Sequence, residues 1–327
     1  MRYFFFLLKA LRKLYLKQHL EHKILLVSEQ NPESVSKLIF ETLMEDTPCM
    51  IARFGANELS AVVNFVGINS GVPNLLLYIK GLRPDWVWND SIIKNMANNA
   101  GFFPPTFDKV SQFCELMLRD ISKVDVLGSW LQNELYVEKQ LEHSKLIRLM
   151  YLDPFWAKNP WTRALKGKRI LVVHPFANSI SSQYRKRIHL FANTDILPEF
   201  KSLEVIQAVQ SLGNGDDRFS DWFEALAYMK KEIEKHEFDI CLIGCGAYGF
   251  PLAAHVKRIG KKAVHMGGSL QLLFGIRGKR WEDDEPHYVM PENVFVHYSG
   301  LPNEHWVRPS VDERPNNHLS VENSCYW

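Results

Sequence analysis

Short apolar runs alternate with stretches of helical periodicity along most of the chain. The runs at 169–174 and 239–243 are largely uninterrupted by polar residues, which is typical of parallel strands that are buried on both faces. Strands that alternate with helices predict an α/β fold, in which a mostly parallel sheet carries helices on both faces. The predicted strands are residues 49–54, 124–128, 146–152, 169–174, 203–207, 239–243, 263–266 and 294–297.

Helical periodicity fills the segments between these runs, and it predicts the connections of a parallel sheet. Residues 27–309 are predicted to form a single α/β domain, because the connector at 154–168 is short and rich in aromatic residues. Residues 310–327 show little periodicity and are predicted to be an irregular tail. The predicted helices are residues 57–65, 90–98, 108–122, 130–141, 181–191, 221–235 and 253–259.

The first 26 residues predict one amphipathic helix with a basic face, because an apolar run is followed by Lys9, Arg12, Lys13 and Lys17. The run is too short for a membrane span and for most signal peptides. Two interpretations remain open. The helix either packs on the domain, or it rests on the anionic inner face of a membrane as a peripheral anchor.

Composition narrows the function classes. The chain has 327 residues with 39 basic and 37 acidic side chains, and this balance argues against a broad nucleic-acid-binding surface. The five cysteines are scattered and form no Cys-x-x-Cys pair, so neither a zinc knuckle nor a thioredoxin-like motif is predicted, and a reducing, cytoplasmic location fits best. The motifs of serine hydrolases, zinc proteases and P-loop kinases are also missing from the sequence.

The strongest local motif follows the strand at 239–243, where Gly244, Gly246, Tyr248 and Gly249 lead into a helix. The spacing matches Gly-x-Gly-x-x-Gly, which lets backbone N–H groups approach an anion at a helix N-terminus. A tight turn that serves only helix packing is the alternative. A nicotinamide-dependent oxidoreductase is less favoured, because no carboxylate ends the next strand at 263–266 to hold a ribose.

A second glycine-bearing bend, Gly267 and Gly268, follows that next strand. Because the carboxyl ends of parallel strands open onto one crevice, both bends are expected to face the same ligand. Arg277, with its basic neighbours Lys279 and Arg280, is expected to add cationic donors suited to a diphosphate.

Other strand ends supply candidate polar groups. Arg53 and Gly55 end the first strand, and Glu58 falls in the first turn of the next helix, either as a catalytic or metal-binding group or only as a helix-stabilising carboxylate. Ser129 follows a second strand and is a candidate ligand contact. His174 ends a third strand, as a general base or as a structural histidine.

These motifs resemble the GT-D-fold glycosyltransferases, in particular a bacterial branch associated with surface polysaccharides. The similarity covers roughly residues 30–285 and depends on Arg53-Phe-Gly55-x-x-Glu58, on the bend at Gly244 and Gly246, and on the string that runs to Trp281. The resemblance implies a Rossmann-like sheet, a nucleotide-sugar donor such as a UDP-sugar, and often a divalent metal, Mn²⁺ or Mg²⁺. Where better understood members carry an Asp-x-Glu pair, this chain has Ala56 and Glu58, so a metal would depend on Glu58 alone.

The expected function is therefore transfer of a sugar from a nucleotide-sugar to a glycan or lipid-linked acceptor. Backbone N–H groups and arginines would bind the diphosphate, and Glu58, or His174 in reserve, would act near the acceptor hydroxyl. The alternative from another class is a non-catalytic nucleotide-sugar-binding subunit of a polysaccharide assembly complex.

Overall fold

The computed structural model describes residues 2–19, 25–211, 217–282, 288–289, 295–314 and 325–327. Seven strands form one sheet in which every pair is parallel, with helices on both faces. This confirms the predicted Rossmann-like α/β class. The strands are β1 Met50–Arg53, β2 Val126–Ser129, β3 Lys145–Arg148, β4 Arg169–His174, β5 Ser202–Gln207, β6 Ile240–Ile243 and β7 Lys262–His265.

Most of the predicted helices are present. A further two-stranded antiparallel pair is separate from the seven-stranded sheet. The pair is formed by β8 Tyr288–Val289 and β9 Phe295–Val296. The helices are α1 Arg2–His19, α2 Pro32–Met44, α3 Ala56–Asn69, α4 Leu75–Ile79, α5 Asp90–Ala100, α6 Phe107–Ile121, α7 Ala177–Tyr184, α8 Trp222–Glu234, α9 Gly249–Arg258 and α10 Leu270–Leu273.

Several predicted elements differ from the observed ones, among them the helix predicted at 253–259, which begins at Gly249 as α9. The strand predicted at 146–152 ends at Arg148 and continues as a 3₁₀ turn, and the helix predicted at 130–141 is a 3₁₀ segment, Gln132–Leu141. The helix predicted at 181–191 begins earlier, as α7, and the strand predicted at 294–297 is reduced to β9, with residue 294 outside the described residues. The sequence prediction missed α2, α4 and α10, although Asn31 caps α2 and Pro32 opens it.

Alternation of side chains along the strands builds two cores, one on each face of the sheet. In β1, Met50 and Ala52 belong to one core and Ile51 to the other. The first core is closed by α3, α5, α6, α8 and α9, and the second by α2, α7 and α10.

The strand order is β3-β2-β1-β7-β6-β4-β5. From β1 the chain moves outward to β2 and β3, whereas β6 and β7 lead back to the centre of the sheet and place β7 beside β1. The chain on either side of the 154–168 connector therefore contributes strands to one sheet. A ligand crevice is expected at the carboxyl ends of the central strands, where the connections diverge.

The predicted N-terminal helix is present as α1, and residues 1 and 20–24 of the predicted segment lie outside the described residues. It packs beside α4 and the segment that follows α4, where Phe5 meets Trp86 edge to face at 4.9 Å between ring centroids, and Lys9 pairs with Asp85 at 2.6 Å. Across the part of the chain that the structure describes, no helix combines the length and the apolar character needed to cross a membrane.

Candidate active-site cleft

The bends after β1, β6 and β7 meet at the carboxyl edge of the sheet, as the sequence predicts. A Cβ at Gly244 would lie 2.5 Å from the carbonyl oxygen of Gly267, and a Cβ at Gly267 would lie 3.3 Å from Nη1 of Arg53. Gly246 and Gly267 also adopt left-handed backbone conformations, with φ of 57° and 69°. Glycine at these positions allows three separate segments to approach one another.

The bends border a cleft with two lobes. The main lobe, so called because more residues line it, has a volume of about 200 Å³, and the side lobe has a volume of about 300 Å³. Both lobes are lined by Arg53, Trp130, Gly268, Arg280 and Tyr326, so these residues stand at the boundary between the lobes.

Nine of the twelve residues selected from the sequence line the main lobe. The other three, Ser129, Gly249 and Arg277, do not line it. The nine are Arg53, Gly55, Glu58, His174, Gly244, Gly246, Tyr248, Gly267 and Gly268.

Arg53 brings a positive charge into the cleft. Its guanidinium carbon lies 5.0 Å from the ring centroid of Trp130, and the indole N–H of Trp130 donates to the carbonyl oxygen of Phe54 at 3.1 Å. Among the described residues, no carboxylate lies within ion-pair distance of Arg53. A partly buried arginine without such a partner is suited to an anionic ligand.

Glu58 lies in the first turn of α3 and is only 9% exposed. Its carboxylate folds over Gly55, where a Cβ would lie 2.0 Å from Oε2. Burial raises the pKa of Glu58, although a hydrogen bond from its own backbone N–H and the charge of Arg53 oppose the shift. A carboxyl whose pKa is raised is a better proton acceptor than an exposed glutamate.

The structure gives His174 a role different from the predicted base. Burial lowers the pKa of His174 to about 3, so the ring is neutral, and its Nδ1 accepts the backbone N–H of Phe176 at 3.0 Å. The remaining nitrogen, Nε2, therefore carries the proton and can only donate. His174 is suited to hold a ligand oxygen and is not suited to remove a proton.

His265, which the sequence did not identify as a site residue, also lines the main lobe. Burial and the nearby charge of Arg53 lower its pKa to about 3. Its Nδ1 lies 3.2 Å from the carbonyl oxygen of Ile243, which can only accept, so Nε2 is left as an acceptor. The two neutral histidines thus offer one donor and one acceptor.

Arg280, and not the predicted Arg277, is the second cation of the cleft. Arg280 donates to the Tyr326 hydroxyl at 2.9 Å and lies over that ring. The backbone N–H of Arg277 donates to the carbonyl oxygen of Val307, and its side chain lies 3.8 Å from Glu282, away from both lobes.

Two further predictions are corrected by local packing. The hydroxyl of Ser129 donates to the buried carboxylate of Glu134 and lines neither lobe. Gly249 begins α9 and leaves room for His265, because a Cβ there would lie 2.2 Å from that ring. The third glycine of the motif therefore serves helix-on-strand packing, the alternative that the sequence left open.

Tyr248 lines the main lobe and not the side lobe, and two contacts hold its side chain in place. Its ring stacks on Trp222 at 5.0 Å, and its hydroxyl lies 2.7 Å from that of Ser211. The sequence marked Tyr248 through the glycine motif, but it contained no signal for Ser211, which lies 37 residues earlier in the chain.

The predicted irregular tail contributes directly to the cleft. Tyr326 packs against Gly268, where a Cβ would lie 2.4 Å from the ring, and Trp327 is 5% exposed. No local pattern in the sequence marked these aromatic residues, because their position depends on contacts with distant segments.

Asp153 is a buried carboxylate of the side lobe that the sequence also did not mark. It accepts hydrogen bonds from the hydroxyls of Ser269 and Tyr298, each at 2.6 Å. Burial raises its pKa to about 6, against the effect of these hydrogen bonds.

The donor set does not fit a metal held by the protein. Within the described residues, no group of three or more His, Cys, Asp and Glu side chains is placed to hold a metal ion. Ala56, two residues before Glu58, offers no side-chain ligand, and the positive charge of Arg53 acts on Glu58. A cation at Glu58 would therefore meet a single carboxylate and a repelling arginine.

The neutral state of His174 predicts an acid-sensitive contribution to stability. The unfolded histidine takes up a proton as the pH falls through 6.5, whereas the folded one does so only near 3. Relative to His174→Gln, the wild-type free energy of unfolding should fall by about 2 kcal/mol between about pH 7 and about pH 5. Urea denaturation across this range measures the difference. His143→Gln, at a side chain that is 91% exposed, should show no such loss.

No family model, curated protein or solved structure matches this chain.

Proposed function

We propose that this protein is a glycosyltransferase that binds a nucleoside-diphosphate sugar, such as a UDP-sugar, and transfers the sugar to a glycan or lipid-linked acceptor in surface-polysaccharide synthesis. This proposal depends mainly on the position of Arg53. Its guanidinium has no carboxylate partner within ion-pair distance among the described residues and lies against the bend at Gly267. A buried charge is costly without a counterion, so an anionic ligand is expected at this point.

The arrangement of the lobes supports a diphosphate in the middle of that ligand. Arg53 and Arg280 both border the main and the side lobe. A pyrophosphate held between them would direct the nucleoside into one lobe and the sugar into the other. Gly268, on the bend after β7, lines both lobes and so lies at the same boundary.

The proposed reaction forms a bond between the acceptor oxygen and the anomeric carbon and breaks the bond from that carbon to the diphosphate. Negative charge grows on the leaving diphosphate, where Arg53 and Arg280 stabilise it. Glu58, whose raised pKa favours proton uptake, accepts the proton of the acceptor hydroxyl. His174 donates a hydrogen bond that orients the ligand.

Replacing Arg53 by Ala should weaken UDP binding about tenfold or more, because a charge-assisted hydrogen bond contributes about 1.5–3 kcal/mol. Isothermal titration with UDP measures the change. Arg277→Ala removes an equal charge outside both lobes and should bind UDP as the wild type does. Equal affinity for UDP in the Arg53 variant would refute the proposed diphosphate site.

Replacing Glu58 by Gln should reduce turnover about 10²-fold or more while leaving UDP affinity unchanged, because the amide cannot accept a proton. Release of UDP from a UDP-sugar measures turnover, with water as the acceptor where the natural one is unknown. Glu41→Gln is the control, since it makes the same substitution at an exposed carboxylate of α2 outside both lobes, and it should retain turnover. A fully active Glu58 variant would exclude this residue as the base.

One observation favours a second candidate, a non-catalytic nucleotide-sugar-binding subunit. Ala56 stands where the family has a carboxylate, so the site lacks one group of the better understood members. A binder should take up UDP-sugars without hydrolysing them, whereas the enzyme should release UDP slowly.

Thermal stabilisation by NAD, without stabilisation by UDP, would favour the oxidoreductase alternative.

The outer face of α1 supports a peripheral position of this cytoplasmic enzyme on an anionic membrane. Phe4, Leu7, Leu11 and Leu14 recur at intervals of three and four residues and are 53%, 58%, 42% and 54% exposed. Lys17, three residues after Leu14, is exposed beside this stripe. An apolar stripe with a neighbouring basic residue is typical of helices that lie in a membrane interface.

The protein should sediment with vesicles that contain phosphatidylglycerol and not with vesicles of phosphatidylcholine alone. Leu11→Glu should weaken binding about tenfold or more, since burying a leucine contributes roughly 1.5–3 kcal/mol. Ile188→Glu places the same charge at an exposed apolar residue far from α1 in sequence and should sediment like the wild type. If both variants sediment like the wild type, membrane contact through α1 is contradicted.

A further inference from the structure

A polar groove separate from the cleft lies beneath α1. Its volume is about 500 Å³, larger than that of either lobe, and it is bordered by α1, α3, α5 and the 3₁₀ segment Gln132–Leu141. Most of its polar lining is uncharged. These side chains are Asn57, Ser60, Asn64, Asn95 and Asn133.

Only part of this polar lining is used by the fold itself. Asn64 is occupied, since it donates to the carbonyl oxygens of Asp85 and Val87 and accepts the N–H of Asn89. Asn133 donates to Ser60 at 3.3 Å. The side-chain amides of Asn57 and Asn95 form no hydrogen bond with another residue that the structure describes, so they are available to a ligand.

The charge of the groove is positive. Lys9, Arg12 and Lys13 line it together with one carboxylate, Asp85, which pairs with Lys9 at 2.6 Å and lies 3.8 Å from Arg12. Lys13 is exposed and forms no ion pair with a described residue. This lysine is placed to meet an acidic group on a ligand.

The groove and the cleft adjoin at the beginning of α3. Asn57 lines both of them, and Glu58 is the next residue in the chain. A ligand held in the groove could therefore present a hydroxyl at the Asn57 end, beside the proposed base.

We infer that this groove binds a saccharide that carries a phosphate or carboxylate group. Free amides match the hydroxyls of a sugar, Ile92 and Tyr136 offer apolar surface to its ring, and Lys13 matches the acidic group. The role of this ligand as the sugar acceptor rests on the proposed function, whereas its binding does not.

The test is titration calorimetry of the full-length chain with glucose 6-phosphate, glucuronic acid, glucose and inorganic phosphate, each in the presence of saturating UDP. Both acidic sugars should bind more tightly than glucose, and more tightly than phosphate alone. Comparison of the two acidic sugars shows which acidic group is preferred.

Two matched pairs of variants locate the binding. Lys13→Glu should weaken binding of the acidic sugars about tenfold and leave glucose unaffected, whereas Lys17→Glu, on the same helix but outside the groove, should change neither. Asn95→Ala should weaken all three sugars, and Asn98→Ala, exposed on the same helix outside the groove, should not.

Three results would overturn the inference: no sugar binds, phosphate binds as well as the acidic sugars, or the Lys17 and Asn98 variants weaken binding as much as their partners. If Arg53→Ala loses UDP binding but still binds the sugars, the inference about the groove stands. If the wild-type protein binds acidic sugars but does not bind UDP, the proposed function is refuted and the inference about the groove is not.

Discussion

The close approach of two glycine bends underlies the architecture of the cleft. With a Cβ at Gly244 only 2.5 Å from the carbonyl oxygen of Gly267, any side chain there would force the bends after β6 and β7 apart. Gly267 in turn lies against Arg53, so separation of the bends would also move the guanidinium at the end of β1. One steric constraint thereby links three strand ends that are far apart in the chain.

The electrostatics of the cleft follow from the same crowding. Burial keeps His174 and His265 neutral, so the two histidines add no positive charge beside Arg53. Arg53 and Arg280 are then the positive charges at the boundary between the lobes. A site of this kind attracts an anion at its centre while its neutral groups select the rest of the ligand by hydrogen bonding.

The helix α1 contributes to two of the three proposed surfaces, the groove and the apolar stripe. Its inner side closes the groove through Lys9, Arg12 and Lys13, and its outer side exposes the apolar stripe. A protein held at a membrane by this stripe, as proposed, would keep the groove close to the lipid surface, and Asn57 joins the groove to the cleft. Under the proposed function, this order of surfaces would suit an acceptor that reaches the cleft from the membrane side.

The sequence by itself determined the α/β class, the parallel strands and the convergence of the glycine bends. These depend on local spacing, since apolar runs mark buried strands and parallel strands end at one edge. Only the tertiary structure decided which side chains reach the cleft. Arg280 and not Arg277 enters it because Arg277 is held by the backbone of Val307, and Tyr326 enters because Gly268 leaves room for its ring. Such contacts join residues from distant parts of the chain, and no local pattern specifies them.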